Sequence, residues 1–401
     1  MSTTLIVFLI IFTLFWALIL FLEKKGTTKK LGIERDAFVA VWKTKRFIDF
    51  LEKGGKRFRR FWKFYGNFGV VLGIIMMGAV FFLLTVQAYF AVTAPKTSGG
   101  VVLVIPGITI PLWYGLFALL VVLVVHEFSH GFLATSQDLK VKSVGLVLFA
   151  VIPGAFVEPD EEELLETTRR KRMRVFSVGS LANLLTGLIA LLFISFLMSA
   201  TVESNGMYIS GVKQSGNTSM PEAGSVLYSV NGEKVTHFDA LEQQLSQNDT
   251  YYTFETSEGV YTFCGEYTIE GKNVTIASEN ISVTFILTDM SNSLVVDLLM
   301  PIRPIYFYRE PYYSTKSNVP SWIWIVIKQL AWIALLNIGI GLINLLPMLP
   351  LDGGALFRDI AQKVTNQERG KKIAVVMSFI SLFIILLNFI PSFFGGVPSL
   401  K

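Results

Sequence analysis

The chain has 401 residues, of which 52% are hydrophobic and 16% charged, and its formal net charge is +5. A mean hydropathy of +0.55 excludes an ordinary soluble enzyme and predicts a polytopic membrane protein. The basic residues cluster beside apolar segments, which indicates membrane orientation and contact with the lipid bilayer, and argues against nucleic-acid binding.

Apolar segments long enough to cross a membrane recur along the chain. A helix needs about 20 apolar residues to cross about 30 Å of hydrocarbon. Six segments approach or exceed this length: residues 4–22, 67–92, 112–136, 175–200, 321–346 and 373–391. The first is expected to be a retained anchor, because no basic segment precedes it and no small-residue cleavage site follows it. We therefore predict about six transmembrane helices.

The loops between these segments predict their orientation. Residues 23–66 hold fourteen Lys or Arg against five acids, so the positive-inside rule places them in the cytoplasm. Residues 201–320 hold six Lys or Arg against fourteen acids and fall outside on the same count. The expectation is a multi-pass protein of the cell membrane with one large extracytoplasmic segment.

The third apolar segment contains a metal-binding pattern, since residues 126–130 read HEFSH. Histidines four residues apart share one face of a helix, so His126 and His130 can bind one zinc ion while Glu127 activates a water. An ionised Glu at membrane depth costs about 2.5–3.5 kcal/mol, so it is expected to face water, a partner or a metal. His237, in the polar segment, is expected to be an ordinary histidine.

A third ligand must come from elsewhere in the chain. Cys264 is the only cysteine, which leaves nitrogen and oxygen side chains. Asp352 is the strongest candidate, in the sequence NLLPMLPLDGG at residues 344–354. Prolines and glycines break the helix there, and irregular backbone at membrane depth is expected only where it is buried in protein or lines a cavity. The alternative is that Asp352 caps a helix just outside the bilayer.

HEFSH and NLLPMLPLDGG together resemble the site-2 protease family of intramembrane zinc metalloproteases, whose pattern is HExxH in one span and NxxPxxxLDGG in a later one. Residues 153–162 and 176–184 are similar to archaeal members of that family. The resemblance implies one zinc ion, the same three ligands, and Glu127 as the general base. Iron, cobalt or manganese could occupy such a site, although tetrahedral zinc suits HExxH best.

The same resemblance implies a role for Asn183, which lies in the sequence GSLAN. The family's asparagine assists at the active site, here by hydrogen-bonding the substrate or its oxyanion. Ser180 stands where proline is usual in the family. The alternative for Asn183 is a hydrogen bond between helices of a bundle.

The resemblance also implies substrates that span the membrane and are cut in regulated intramembrane proteolysis near the cytoplasmic side. A membrane helix has its carbonyls tied into hydrogen bonds, so a substrate must unwind before cleavage. Residues 145–151 are apolar, and in the family such a segment is a membrane-embedded strand that can pair with substrate. The alternative is a strand that only packs in the core.

Residues 207–212 and 221–235 resemble a PDZ domain, with short alternating strands and an Asn-Gly turn. Family members often carry PDZ domains in this position, which implies peptide contact by β-augmentation. The usual Gly-Asp before the final strand is absent here, so a β domain without peptide binding is the alternative.

The predicted fold class is therefore a polytopic α-helical membrane protein with an extracytoplasmic, β-rich, PDZ-like domain. The expected divisions are residues 1–66 (anchor and basic loop), 67–200 (first part of the protease core), 201–320 (PDZ-like domain) and 321–401 (second part of the core). The competing function is a non-enzymatic zinc-binding transporter or scaffold. Glu127 separates the two, because transport needs ligands but no general base.

Overall fold

The computed structural model describes residues 3–26, 28, 33–36, 39–95, 101–149, 152–215, 219–247, 250–278, 281–289 and 313–393. The chain divides into two compact units. Unit 1 comprises Met1–Ile189 and Trp332–Lys401, and unit 2 comprises Ala190–Ala331. Unit 2 thus contains the predicted segment 201–320, of which residues 290–312 lie outside the described residues.

The described helices are α1 (Thr3–Lys24), α2 (Arg46–Arg57), α3 (Arg59–Thr93), α4 (Leu112–Ser136), α5 (Glu161–Glu166), α6 (Arg169–Thr201), α7 (Phe238–Ser246), α8 (Ile323–Asn344), α9 (Asp352–Val364), α10 (Gln367–Leu387) and α11 (Ile390–Phe393). Five of them, α3, α4, α6, α8 and α10, are long and apolar enough to cross a membrane. They coincide with the second to sixth predicted spans. Helix α1 forms where the first span is predicted, and its crossing stays a prediction.

Helix α4 is held in place by unusually close packing against α2. A Cβ atom on Gly55 would lie 2.1 Å from Thr135 Oγ1 and 2.7 Å from the Phe132 carbonyl oxygen, so only glycine permits this approach. The Thr135 hydroxyl donates to the carbonyl of Leu51, which is fully buried. These contacts fix the end of α4 that follows the HEFSH sequence.

Unit 1 also contains a four-stranded antiparallel sheet in the order β1 (Ile33–Asp36), β2 (Val39–Thr44), β3 (Val141–Phe149) and β4 (Ile152–Pro159). The strand predicted within residues 145–151 forms as part of β3, although residues 150–151 lie outside the described residues. It pairs with β2 on one side and β4 on the other, so it offers no free edge to a substrate. The last strand of this sheet is β4.

Helix α9 begins at Asp352, after a turn that separates it from α8. Its N-cap residue is Leu351, and the helix has no side-chain cap, so Asp352 does not serve as the predicted alternative cap. A Cβ atom on Gly353 would lie 2.2 Å from the Leu345 carbonyl, so the start of α9 packs directly on the backbone of the preceding turn. This contact fixes where the Asp352 side chain emerges.

Unit 2 is built around an eight-stranded antiparallel sheet of β6 (Met207–Ser215), β7 (Val226–Val230), β8 (Glu233–Lys234), β9 (Tyr251–Thr256), β10 (Gly259–Cys264), β11 (Glu266–Glu270), β12 (Asn273–Ala277) and β13 (Ser282–Asp289). The strand order is β10-β9-β7-β6-β13-β12-β11, with β8 on β7. A short pair, β5 (Val202–Ser204) with β14 (Tyr313–Thr315), completes the described strands.

The predicted β-rich segment is therefore present, and its assignment as a PDZ domain stays a prediction. Helix α7 buries Leu241 and Leu245 in the core of this unit. The adjacent β7 pairs with β6 on one side and with β9 on the other. Peptide capture by β-augmentation needs a free strand edge, so β7 does not provide one next to α7.

Candidate metal centre

The side chains of His126, His130 and Asp352 converge on one point in unit 1. His126 Nε2 lies 3.2 Å from His130 Nε2, and Asp352 Oδ2 lies 3.1 Å and 3.3 Å from these two nitrogens. Both histidines are buried. Helix α4 presents the two imidazoles on one face because they are four residues apart. Helix α9 supplies Asp352, which lies 222 residues after His130 in the chain.

A backbone carbonyl fixes the orientation of the His130 ring. His130 Nδ1 lies 2.7 Å from the carbonyl oxygen of Val175 on α6, which can only accept a hydrogen bond. The proton of a neutral ring is therefore on Nδ1, and Nε2 presents a lone pair toward His126 and Asp352. This is the arrangement in which histidines bind metals, with the second nitrogen donating to an outer partner.

The Asn183 side chain makes the corresponding contact with the His126 ring. The side chain of Asn183 is fully buried on α6, and its amide nitrogen lies 3.2 Å from His126 Nδ1. Amide nitrogen and oxygen exchange places when the group flips, and the Asn183 oxygen otherwise has no partner. With the oxygen facing the ring, His126 Nδ1 donates to it and Nε2 is left free for a metal. Asn183 on α6 thus contacts His126 on α4, and its predicted contact with substrate stays a prediction.

Gly179 leaves space for the converging nitrogens. A Cβ atom at this position would lie 2.5 Å from His130 Nε2 and 2.7 Å from His126 Nε2. Helix α6 therefore approaches the two rings as closely as a backbone can. Any larger residue would occupy the space between the imidazoles and the helix.

Glu127 faces the same region but makes a different contact. Its Oε2 accepts a hydrogen bond of 3.0 Å from the backbone N–H of Val157 on β4. Because the Val157 N–H donates to Glu127 and not to a strand of the sheet, it points away from β3. The edge of β4 that pairs with none of the described strands therefore faces the Glu127 carboxylate.

These groups line a cavity of about 510 Å³. The residues around it come from α4, β4, α5, α6 and the segment that leads into α9: His126, Glu127, His130, Phe156, Val157, Glu158, Pro159, Glu161, Leu164, Val175, Phe176, Pro350 and Asp352.

The donor set fits a single zinc ion. Zinc–ligand bonds of about 2.0–2.2 Å in a tetrahedron separate the ligand atoms by about 3.3–3.6 Å. The three separations of 3.1–3.3 Å approach this spacing. With the ring protons on the two Nδ1 atoms, two lone pairs and a carboxylate face one another without a hydrogen between them, an arrangement that a bound cation stabilises. Among the described residues, His126, His130 and Asp352 form the group of three side chains that could hold a metal ion.

Sequence reasoning did not identify the backbone groups of Val157 and Val175 or the space at Gly179. A backbone N–H or carbonyl carries no residue signature, so only the strand and helix positions reveal it. Gly179 begins the GSLAN sequence in which Asn183 was predicted to assist. A glycine one helical turn before such a polar residue, in an apolar helix, is the signal that could have identified it.

Two comparisons bear on the identity of this centre. A sequence model of Peptidase family M50 matches residues 114–388, a range that includes every residue of the metal centre. The protein named "Uncharacterized protein MJ0971" from Methanocaldococcus jannaschii is 26% identical over 384 residues, covering 94% of this chain and 91% of its own length. The similarity therefore extends over both units.

Proposed function

The chain belongs to peptidase family M50, the site-2 protease family, and on that premise we propose that it is a zinc-dependent endopeptidase of the cell membrane. Its substrates would be proteins anchored by a membrane-spanning segment, and it would cut that segment in regulated intramembrane proteolysis. The observation that carries the proposal is the convergence of two imidazole nitrogens and one carboxylate oxygen beside Glu127 in an open cavity.

In this proposal His126, His130 and Asp352 hold one zinc ion, while Val175 and Asn183 orient the two rings. Bound zinc supplies Lewis acidity, which polarises a peptide carbonyl and lowers the pKa of a water. The protein residues keep both Nε2 atoms deprotonated and directed at one point. Asn183 is then a positioning residue, which acts through His126.

Glu127 is proposed as the general base. Its carboxylate lines the cavity one residue from His126, so it can take a proton from the attacking water and return it to the leaving amide nitrogen. The Val157 N–H holds one carboxylate oxygen and leaves the other for proton transfer. A transporter or scaffold would have no use for a carboxylate held in this way.

The edge of β4 is proposed to hold the unwound substrate. A substrate helix must open before its carbonyl can reach the centre, and an extended segment exposes backbone groups that need partners at membrane depth. Because β4 ends the sheet and its free edge faces Glu127, a substrate strand added there would lie along the cavity. The predicted segment 145–151 is therefore not proposed for this role, because its described residues, 145–149, are paired on both sides.

Unit 2 is proposed to lie outside the cell, with the metal centre near the cytoplasmic side. The support is the charge of the loops, since residues 23–66 are strongly basic and residues 201–320 are acidic. Contact of the PDZ-like domain with a peptide remains part of the proposal as a role in selecting substrates, through a strand edge other than those of β7.

The test is cleavage of a tagged single-span substrate in liposomes by the wild-type protein and by Glu127→Gln. Zinc content is measured in both preparations and matched. We expect Glu127→Gln to keep zinc and to lose about 10²–10⁴-fold of the cleavage rate, because proton transfer is removed while the ligands stay. Equal rates for the two proteins, or zinc binding with no cleavage by either, would overturn the protease proposal.

A further inference from the structure

A buried ion pair joins α6, which carries Val175, to α9, which carries Asp352. Nε of Arg172 donates to Asp359 Oδ2 over 2.8 Å, and Nη2 donates to Asp359 Oδ1 over 3.0 Å, which makes a two-pronged contact. The Asp359 side chain is 1% exposed and that of Arg172 is 12% exposed. An ion pair this well buried is shielded from solvent and has a fixed geometry.

The third nitrogen of the Arg172 guanidinium is hydrogen-bonded as well. Nη1 of Arg172 donates to the carbonyl oxygens of Leu165 at 2.8 Å and Thr167 at 3.3 Å, at the end of α5. Helix α5 directly follows β4, and Asp160 caps it by accepting from the N–H groups of Glu162 and Glu163. Arg172 therefore ties the segment after β4 to α9.

The position of Asp359 on α9 connects this pair to the metal centre. Asp359 follows Asp352 by seven residues, which is about two helical turns, so both carboxylates lie on one face of α9 about 10 Å apart along the axis. Arg172 precedes Val175, the residue whose carbonyl orients His130, by three residues on α6. The pair thus links the helix that orients a histidine to the helix that supplies the carboxylate.

Packing at Gly353 holds the first turn of α9, and the ion pair at Asp359 holds the helix two turns further on. Buried Leu356 and Ala361 give apolar contacts, which are non-directional and tolerate small slides or rotations of a helix. A two-pronged hydrogen-bonded pair tolerates neither. Because three ligand atoms must lie within 3.1–3.3 Å of one another, a small shift of α9 would open the site.

We propose that Arg172 and Asp359 are positioning residues for the metal centre, and that their ion pair sets the place of Asp352 relative to His126 and His130. The inference rests on the proposed zinc site. Neither residue touches the metal or the substrate. Their effect is on how tightly the three ligands bind zinc.

The test measures zinc affinity by competition with a chromophoric chelator, using the full-length protein in detergent, together with thermal unfolding of the zinc-free protein. The variants are Arg172→Met, Asp359→Leu and the double variant. Either single variant leaves an unpaired buried charge and should lower both stability and zinc affinity. The double variant removes both charges and should regain thermal stability. Its zinc affinity should stay about 10- to 100-fold below wild type, as for loss of an outer partner.

The matched control is Arg174→Met. Arg174 lies two residues further on α6 and is also buried, but its partners are Asn67 on α3 and Gln137 after α4. We expect its zinc affinity to equal that of the wild type. Wild-type zinc affinity in the double variant, or an equal loss in Arg174→Met, would overturn the positioning role and leave the protease proposal standing. A wild-type protein that binds no zinc would overturn both.

Discussion

The metal centre of unit 1 and the hydrophobic core of unit 2 are both buried, but they are packed in opposite ways. In unit 2 the rings of Phe254, Phe263 and Phe285 lie 5.2–5.3 Å apart, in a cluster of aliphatic and aromatic side chains. In unit 1 two histidines and an aspartate bring polar atoms to within 3.3 Å of one another. Apolar contacts stabilise the first arrangement by themselves, while the second is stabilised by a positive charge placed between its acceptor atoms.

Removing one of the proposed ligands should have the largest effect on the metal centre. We expect His126→Ala to lose zinc binding and proteolysis together. Its loss of metal affinity should exceed the about 10- to 100-fold loss that follows removal of an outer partner. Zinc content by mass spectrometry and cleavage of a single-span substrate measure it. The control is His237→Ala, which removes an exposed histidine of unit 2. Full zinc content in His126→Ala would contradict the assigned site.

A change in the core of unit 2 should have the reverse effect. Phe285 is fully buried, so Phe285→Ala should cost about 3–5 kcal/mol in the free energy of unfolding of that unit. Zinc affinity should not change, because all the proposed ligands belong to unit 1. Thermal unfolding and chelator competition on the same sample measure both quantities. Loss of zinc in step with loss of unit 2 would show that the two units are not independent.

Filling the space at the metal centre should weaken zinc binding without removing a ligand. The methyl group in Gly179→Ala would meet both His Nε2 atoms, and overpacking of this kind costs about 1–3 kcal/mol, or about 5- to 150-fold in zinc affinity. Gly78→Ala is the control, because nothing lies within 4 Å of its Cβ position on α3. Equal zinc affinity in the two variants would contradict the close approach of α6.

Substitutions of Asn183 test whether its side chain orients the His126 ring or only fills the space beside that ring. Asn183→Ala should lower zinc affinity about 10- to 100-fold, because His126 loses the partner of Nδ1. Asn183→Asp should keep zinc, since a carboxylate can only accept the Nδ1 proton. Competition with a chelator measures both variants. Zinc loss in Asn183→Asp equal to that in Asn183→Ala would argue against the assigned ring orientation.

The smallest expected effect concerns the N–H of Val157. Proline is tolerated at an edge position whose N–H does not serve the sheet, so Val157→Pro should remove the contact to Glu127 and retain β4. We expect kcat to fall about 2- to 10-fold at unchanged zinc content. Val157→Ala keeps the N–H and controls for the lost side chain. A kcat in Val157→Pro equal to that in Val157→Ala would mean that the hydrogen bond has no part in catalysis.

The contrast between the two regions also explains what the sequence could predict. His126, Glu127 and His130 lie within about one helical turn, so their arrangement is local and follows from spacing alone. Asp352 could be selected because few carboxylates interrupt the apolar segments. The β-rich nature of unit 2 followed from alternation and turn residues, which are also local signals.

Contacts between distant segments could not be read in this way. The pair of Arg172 with Asp359 joins residues 187 positions apart and looks like an ordinary basic residue and an ordinary acid in the sequence. The substrate edge was expected in residues 145–151, because the apolar pattern identifies a strand but not its place in the sheet. The order of the four strands, which makes β4 the edge, depends on β1 and β2, more than 100 residues earlier.

The central claim is that the zinc-loaded centre cuts peptide bonds inside a membrane-spanning segment. The most direct measurement is mass-spectrometric mapping of the cleavage position in a single-span substrate, processed in liposomes by the wild-type protein with Glu127→Gln as the control. The account predicts new termini within the apolar span that are absent with Glu127→Gln. Cleavage confined to the soluble flanks of the substrate, or the same termini produced by Glu127→Gln, would contradict it.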